Sequence, residues 1–284
     1  MRIVSWNIEN IVPFVQHDAA MPLARLIENL DEPDVLCLQE VRVRASDADL
    51  IARVRSALPG YECHLSLNAD AKNASYRGGR AYGVATYIRA DLAARSLVFP
   101  WDREGRLVFS GIGQLRLAIG NVYAVNGTAK PYFHPDTGEQ IGDRHRFKRQ
   151  FITDFQREAA ALQEAGLQLV LIGDWNVSRA RIDVTPRLRT EPPHAAARRQ
   201  LNDIFMPSLH LVDVFREFRP DERAYTWISK RRRNTLDAAR VDYALVEQSL
   251  VPQVTSAGIA AEAPASGSDH LPLWVELDLG EAKR

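Results

Sequence analysis

Acidic, amide and imidazole residues stand at the ends of short apolar runs spread along the whole 284-residue chain. Asn7 closes IVSWN, Glu40 closes DVLCLQE, and Asp174 and Asn176 close LVLIGDWN. Asp242 sits in RVDYALV, and Asp269 and His270 open SDHLPLWVEL. Apolar runs of this kind read as buried strands. A polar group at the end of a buried strand costs free energy unless it meets a partner or a ligand. Carboxylates dominate the set, with one histidine and two asparagines. That mixture points to one metal-assisted hydrolytic site drawn from the whole chain.

The residues differ in how specifically they point there. The Glu40 carboxylate suits a hard cation such as Mg²⁺, which takes oxygen ligands and retains waters; taken alone, a Gln-Glu pair is also an ordinary polar strand exit. Glu9 follows Asn7 by two, so on an extended chain both point to the same side, with a solvated loop acid as the competing reading. In Gly-Asp-Trp-Asn, Gly173 permits a sharp exit from the strand. Asp174 would then act as base or water-orienter, and Asn176 as a neutral donor to a phosphoryl oxygen. His270, beside Asp269 and just before a strand, needs a second partner to fix its tautomer, and Asp242 is the candidate. Tyr123 and Asn126 lie in NVYAVNG at the end of another strand, where Tyr123 is either core or a phosphate contact.

These residues need elements to position them. Strand patterns occupy RIVSW, DVLCL, YECHLSL, GVATYIRA, RLVFSGI, QLRLAIGNVYAV and QLVLIGDWN, then Tyr225 to Ser229, Val241 to Val246, Val254 to Ile259 and Leu273 to Leu277. Helical patterns lie near Met21 to Leu30, Ala48 to Leu58 and Ala195 to Phe205. A long amphipathic helix is expected from about Arg144 to Glu164, where Phe147, Phe151, Ile152, Phe155 and Leu162 keep the period. The mixture predicts an α/β fold of strands packed as two sheets with helices outside. Irregular segments at Asn68 to Arg80, Asn126 to Asp143 and Asp183 to Pro193 flank site strands, where recognition loops usually sit. None resembles an interdomain linker, so residues 1–284 are expected to form a single domain.

Composition sets outer limits. Hydrophobic residues make up 46% and charged residues 25%, ordinary for a soluble globular protein. The formal net charge is zero, whereas a protein that merely coats nucleic acid is usually more basic. Cys37 and Cys63 have neither metal-ligand spacing nor the number for a disulfide framework. The opening MRIVSWNIEN reads as a strand rather than a leader, and no segment approaches a membrane span. The expected location is cytoplasmic.

Taken together and in order, these motifs resemble the exonuclease III and AP endonuclease family of the endonuclease/exonuclease/phosphatase superfamily, which has a DNase I-like fold. IVSWN, DVLCLQE, YGVATYIR, EGRLV, NVYAVNG, GDWNV, the Asp213 to Arg216 stretch, AYTW, RVDY and SDHLP carry the resemblance over almost the whole chain. It implies a four-layer α/β sandwich: two packed mixed β-sheets flanked by helices, with the site at one end. Position by position, it implies Glu40 as the principal Mg²⁺ ligand (Mn²⁺ being able to substitute), with Asn7, Glu9 and Asp269 on the metal side. Asp174 would orient or deprotonate the attacking water, Asn176, Asn126 and Tyr123 would hold the phosphate, His270 would stabilise the phosphorane, and Asp242 would align His270. The chain departs from many relatives at Asp237 to Arg240, where those relatives carry a Trp-containing stretch. Trp227 and Val241 remain as walls of a lesion pocket that Ala239 leaves small on one side. The Lys130 to Asp143 loop is also longer than the resemblance implies.

The resemblance implies double-stranded DNA with abasic sites or 3′ ends as the partner, with no membrane and no obligate protein. Basic residues at Lys230 to Arg233, Arg144 to Arg149, Arg77 and Arg80 lie beside site loops and suit a DNA backbone, with an ordinary solvated face as the competing reading. Lys148, Arg233 and Asn234 match positions that tend to be basic or polar in the family. The expected reaction is Mg²⁺-dependent cleavage 5′ to an abasic site to leave a 3′-OH, with 3′-5′ exonuclease or 3′-end trimming. A phosphodiesterase or phosphatase acting on RNA, a nucleotide or another phosphoester is the alternative. A non-catalytic DNA-binding module would predict losses at Glu40, Asp174 or His270, and all three are present.

Overall fold

The computed structural model describes residues 1–73, 82–186, 188–229, 237–263 and 267–280. Two six-stranded sheets organise them. The first holds β1 (Arg2–Asn7), β2 (Val35–Gln39), β3 (Tyr61–Ser66), β4 (Val84–Arg89), β15 (Val254–Ile259) and β16 (Leu273–Leu277), in the order β15-β16-β1-β2-β4-β3. The second holds β5 (Arg95–Leu97), β6 (Leu107–Ile112), β7 (Leu117–Tyr123), β10 (Gln168–Asp174), β11 (Leu211–Asp213) and β14 (Asp242–Glu247), in the order β11-β14-β10-β7-β6-β5. Two short ribbons pair β8 (Pro131–Phe133) with β9 (Gln140–Asp143) and β12 (Trp227–Ile228) with β13 (Ala238–Ala239).

The apolar runs are continuous because both faces of each central strand are covered. Ile3 of β1 and Val35 and Cys37 of β2 pack inward with Ile119, Val170 and Ile172 of the second sheet. Val4, Trp6, Leu36 and Leu38 turn outward, into the cluster that also holds Leu23, Leu26, Leu50 and Val54 of the helices Leu23–Glu28 and Ala48–Arg55. On the far side, the helix Arg144–Glu164 packs Phe151, Ile152, Phe155 and Ala159 with Trp175 and Phe205. Burying one such side chain contributes roughly 1.5–3 kcal/mol. The result is helix, sheet, sheet, helix, the expected four-layer sandwich.

Each sheet has one central parallel pair, β1 with β2 and β7 with β10. Asn7 is registered with Gln39, and Tyr123 with Asp174. β14 runs antiparallel to β10 and starts with Asp242 opposite Asp174. Carboxyl ends of parallel strands are where open α/β sheets bind ligands, and here both pairs end at the same edge of the sandwich.

Several elements differ from the sequence expectation. The Asn126 to Asp143 segment contains the β8–β9 hairpin, too short and too rich in Pro and Gly to show a strand period. The Ala195 to Phe205 helix begins earlier, at Pro192, which suits a first helical position. It passes into a π-helical turn over Gln200–Phe205. The Tyr225 to Ser229 strand shrinks to Trp227–Ile228. Arg77, Arg80, Lys230 to Arg233 and Asn234 lie outside the described residues. Among the described residues, no helix is long and apolar enough to cross a membrane.

Candidate active site

A cavity of about 410 Å³ opens at the shared edge. It is lined by Glu9, Glu40, Arg42, Tyr123, Asn126, Asp174, Asn176, Arg189, Trp227, Ser229, Val241, Asp269 and His270. Asn7 and Asp242 are buried directly behind this lining. Among the described residues, the structure therefore brings together every expected residue from Asn7 to His270, with Lys148 beneath the lining rather than in it; Arg233 and Asn234 lie outside the described residues.

The strand ends are shaped to aim these groups. Glu9 (φ 61°), Glu40 (φ 54°), Arg42 (φ 55°), Asn176 (φ 53°) and Arg189 (φ 57°) all adopt left-handed backbone conformations that L-residues with side chains avoid. Such strain persists where surrounding structure over-determines it, commonly at functional sites. Gly173 is held against β7, where an added Cβ would lie 2.0 Å from the Val122 carbonyl oxygen. That contact lets β10 carry Asp174 to the edge, and no other residue fits.

His270 and Asp174 form one half of the site. The His270 Nδ1 lies 2.9 Å from Asp242 Oδ2, and its Nε2 faces the cavity 4.0 Å from Asp174 Oδ2. Burial alone would push the imidazole down, but the charges of Asp242, Asp174 and Asp269 reverse this and raise it to about 10. Burial and the Asp242 charge push Asp174 up to about 7, partly offset by His270. Asp174 Oδ2 accepts the Asn7 Nδ2 at 3.2 Å and the Asn176 Nδ2 at 3.1 Å, which fixes its orientation. The Asp242 side of the pair is set by Thr226, whose hydroxyl accepts the Val241 and Asp242 amides.

Glu40 forms the other half. Its Oε1 accepts the Tyr123 hydroxyl at 2.7 Å and the Asn7 amide at 3.2 Å, and its Oε2 accepts Arg42 Nη2 at 2.8 Å. Arg42 also stands 3.9 Å from Glu9. Asp269 accepts the Trp227 indole N–H at 2.9 Å. The lining carries the carboxylates of Glu9, Glu40, Asp174 and Asp269 against Arg42, Arg189 and His270, with Asp242 behind. This excess of negative charge, on hard oxygen donors at Glu9, Glu40 and Asp269, fits a divalent cation. Asp174, Asp242 and His270 also lie close enough together to hold a metal ion, but the bond between His270 Nδ1 and Asp242 commits those two atoms to each other.

Some placements refine the sequence reading. Tyr123 gives its hydroxyl to Glu40, and Asn176 spends its amide hydrogens on Asp174 and the Ala124 carbonyl at 2.9 Å. Lys148 is only 1% exposed and donates to the Asn176 carbonyl at 2.8 Å, so it reaches the site from beneath rather than across open surface. Burial, then the Arg189 charge, lowers its ammonium to about 7. Ala239 is fully buried opposite Trp227 and lies outside the lining; Arg189 takes part in that wall instead. Arg42 and Arg189 were not anticipated. Arg42 follows Glu40 by two, and Arg189 lies in the irregular segment from Asp183 to Pro193, where it donates to the Asn176 carbonyl at 2.7 Å.

Comparison with known proteins agrees with this geometry. A model of the "Endonuclease/Exonuclease/phosphatase family" matches residues 4–270. The chain is 24% identical over 320 residues to "DNA-(apurinic or apyrimidinic site) endonuclease 2" of Mus musculus, covering 98% of this chain and 60% of that one. It is 26% identical to the "Exodeoxyribonuclease" of Bacillus subtilis, covering 98% of this chain and 100% of that one. Among solved structures, the Xenopus laevis APE2 catalytic domain superposes with a TM-score of 0.70 at 25% identity, covering 98% of this chain and 91% of that one. The chain spans between 37% and 61% of the length of several curated relatives that it matches.

Proposed function

Because the chain belongs to the endonuclease/exonuclease/phosphatase family, we propose that it is a Mg²⁺-dependent DNA repair nuclease that cleaves 5′ to an abasic site, leaves a 3′-OH and trims 3′ ends. One observation carries this reading: Glu40, Asp174 and His270, the last backed by Asp242, come from four distant segments and meet at a single cavity at the ends of both parallel strand pairs. The relatives' names, an apurinic or apyrimidinic site endonuclease and an exodeoxyribonuclease, support DNA as the substrate.

In this reading Glu40, supported by Glu9, Asn7 and Asp269, would hold the cation. When bound, the cation supplies Lewis acidity at a non-bridging oxygen and stabilises the leaving O3′. Asp174 accepts a proton from the attacking water, and its raised pKa sits near the value that suits a base at neutral pH. Asn7 and Asn176 hold its carboxylate in one orientation. Asp242 holds the proton on His270 Nδ1 and leaves Nε2–H to donate to the developing phosphorane charge. Asn126, exposed at the rim, donates to a second phosphate oxygen. Removing one preorganised donor of this kind costs about 2.7–4 kcal/mol of barrier. Tyr123 acts through Glu40, fixing the ligand carboxylate. Trp227, Val241 and Arg189 wall the space beside the scissile bond.

Incision of a duplex with one abasic-site analogue, compared with an undamaged duplex, tests the assignment. We expect Mg²⁺-dependent incision at the lesion, with a 3′-OH product, and none in EDTA. A second reading, a phosphatase or phosphodiesterase on RNA, a nucleotide or another phosphoester, is favoured by the charged Arg189, which stands beside Trp227 and Val241 where an apolar lesion wall would be. Metal-dependent phosphoester hydrolysis without incision at the lesion would replace the first reading with the second.

A further inference from the structure

A second cavity, of about 340 Å³, adjoins the first and shares Tyr123 and Asn126 with it. Its chemistry is opposite. Lys72, Arg106, Lys130 and Arg144 line it, and among the described residues no carboxylate does. Glu104, wholly buried, is bonded by both Arg106 and Arg144, and the buried Asp102, which feels the Arg106 charge, lies behind them, so the positive charge that faces the cavity comes chiefly from Lys72 and Lys130. Lys72 and Lys130 are exposed, with no carboxylate partner among the described residues. The walls are built rather than incidental. Asn73 donates its amide to the Phe133 carbonyl at 2.7 Å and accepts the Phe133 N–H at 2.9 Å, which pins the 68–73 loop to the β8–β9 hairpin. Arg144 N–H donates to the Lys130 carbonyl at 3.0 Å, closing the base of that hairpin. Tyr82 and Phe133 add aromatic surface.

We propose that this annex, formed by the β8–β9 hairpin and the 68–73 loop, binds the phosphodiester of the nucleotide next to the scissile one. This rests on the assignment of the chain as a DNA nuclease. Negative charge is repelled by the carboxylates around the reacting phosphate unless a cation is present, whereas the annex attracts it at all times. A strand running past Tyr123 and Asn126 therefore places one phosphate on each side. The hairpin then makes the enzyme prefer chains that continue beyond the cleavage point, and Lys72 and Lys130 set the affinity without touching the reacting atoms.

The test replaces both lysines (Lys72→Ala with Lys130→Ala); each is exposed, so folding is spared. Equilibrium binding of a fluorescein-labelled duplex in EDTA, measured across salt concentrations, should show a slope of log Kd against log salt shallower by about 1 than in the wild type. With Mg²⁺, KM for the duplex should rise about tenfold while kcat stays within about twofold. An unchanged salt slope, or a loss confined to kcat, overturns the annex. A shallower slope in a protein whose wild type hydrolyses no DNA would keep the annex as a phosphate site and remove the nuclease assignment.

Discussion

His270 and Asp174 face one another across 4.0 Å, and the proton inventory of each depends on the other. Catalysis as proposed needs Asp174 anionic and His270 cationic. Activity should therefore rise as Asp174 loses its proton near pH 7 and fall as His270 loses its own near pH 10, a bell-shaped profile of kcat/KM. Asp242→Asn removes the anion that most opposes the effect of burial on His270. The basic limb should then move down toward the ordinary imidazole range, with activity lost at alkaline pH first. A basic limb that stays in place in this variant would take His270 out of its acid role.

At the scale of elements, the start of β14 decides where Asp242 stands, and a buried ion network holds that start. Arg240 donates to Asp183 at 2.8 Å and to both oxygens of Asp213, at 3.1 and 2.7 Å. Arg179 adds a 2.6 Å bond to Asp213, and Arg216 a 2.5 Å bond to Asp183. Burial would raise Asp213, but the Arg240 and Arg179 charges lower it instead. A depressed carboxylate contributes stability above its unfolded pKa, and that stability is lost as pH falls through the folded value. Arg240→Met would leave Asp183 and Asp213 with one arginine each, Arg216 and Arg179, and without the hydrogen bonds from Arg240. Urea unfolding at pH 7 should show a loss of about 1.5–3 kcal/mol, as expected when hydrogen bonds to buried charged groups are lost while each charge keeps one partner. A loss below about 1 kcal/mol would mean that the network behaves like an exposed one.

Over the whole molecule, the site draws on both sheets: Glu40 follows β2 and His270 precedes β16 in the first, while Asp174 ends β10 and Asp242 starts β14 in the second, so their separations are a property of how the sheets pack. Asn121 on β7 is the polar bolt between them. Its amide donates to the Leu38 and Ala85 carbonyls and to Thr86 Oγ1, and its oxygen accepts Gln39 Nε2 at 2.8 Å. Two residues further along β7, Tyr123 meets Glu40. Asn121→Leu would orphan groups on both β2 and β4, at about 1–3 kcal/mol for each buried group left unpaired. We expect reduced stability by urea unfolding together with weaker Mg²⁺ binding by calorimetry, because the Tyr123–Glu40 contact loses its register. Lost stability with unchanged Mg²⁺ binding would show that the site does not depend on this bolt.

Much of this was legible along the chain. The long helix was readable because Phe147, Phe151, Ile152, Phe155 and Leu162 repeat at the helical period over several turns. The central strands were readable because burial on both faces demands unbroken apolar runs, and their polar ends marked Asn7, Glu40 and Asp174 at exits and His270 before an entry. The β8–β9 hairpin was hidden, since three- and four-residue strands carry no period. Arg42, Arg189 and the beneath-site position of Lys148 were hidden for another reason. Their roles come from left-handed turns and from distances to Glu40 and the Asn176 carbonyl, which no local pattern encodes. Side-chain period is a local property, and the sequence by itself determined the elements and the residue types at their ends. Tertiary structure alone decided which ends meet, because strand register and sheet packing are long-range choices made by the buried core.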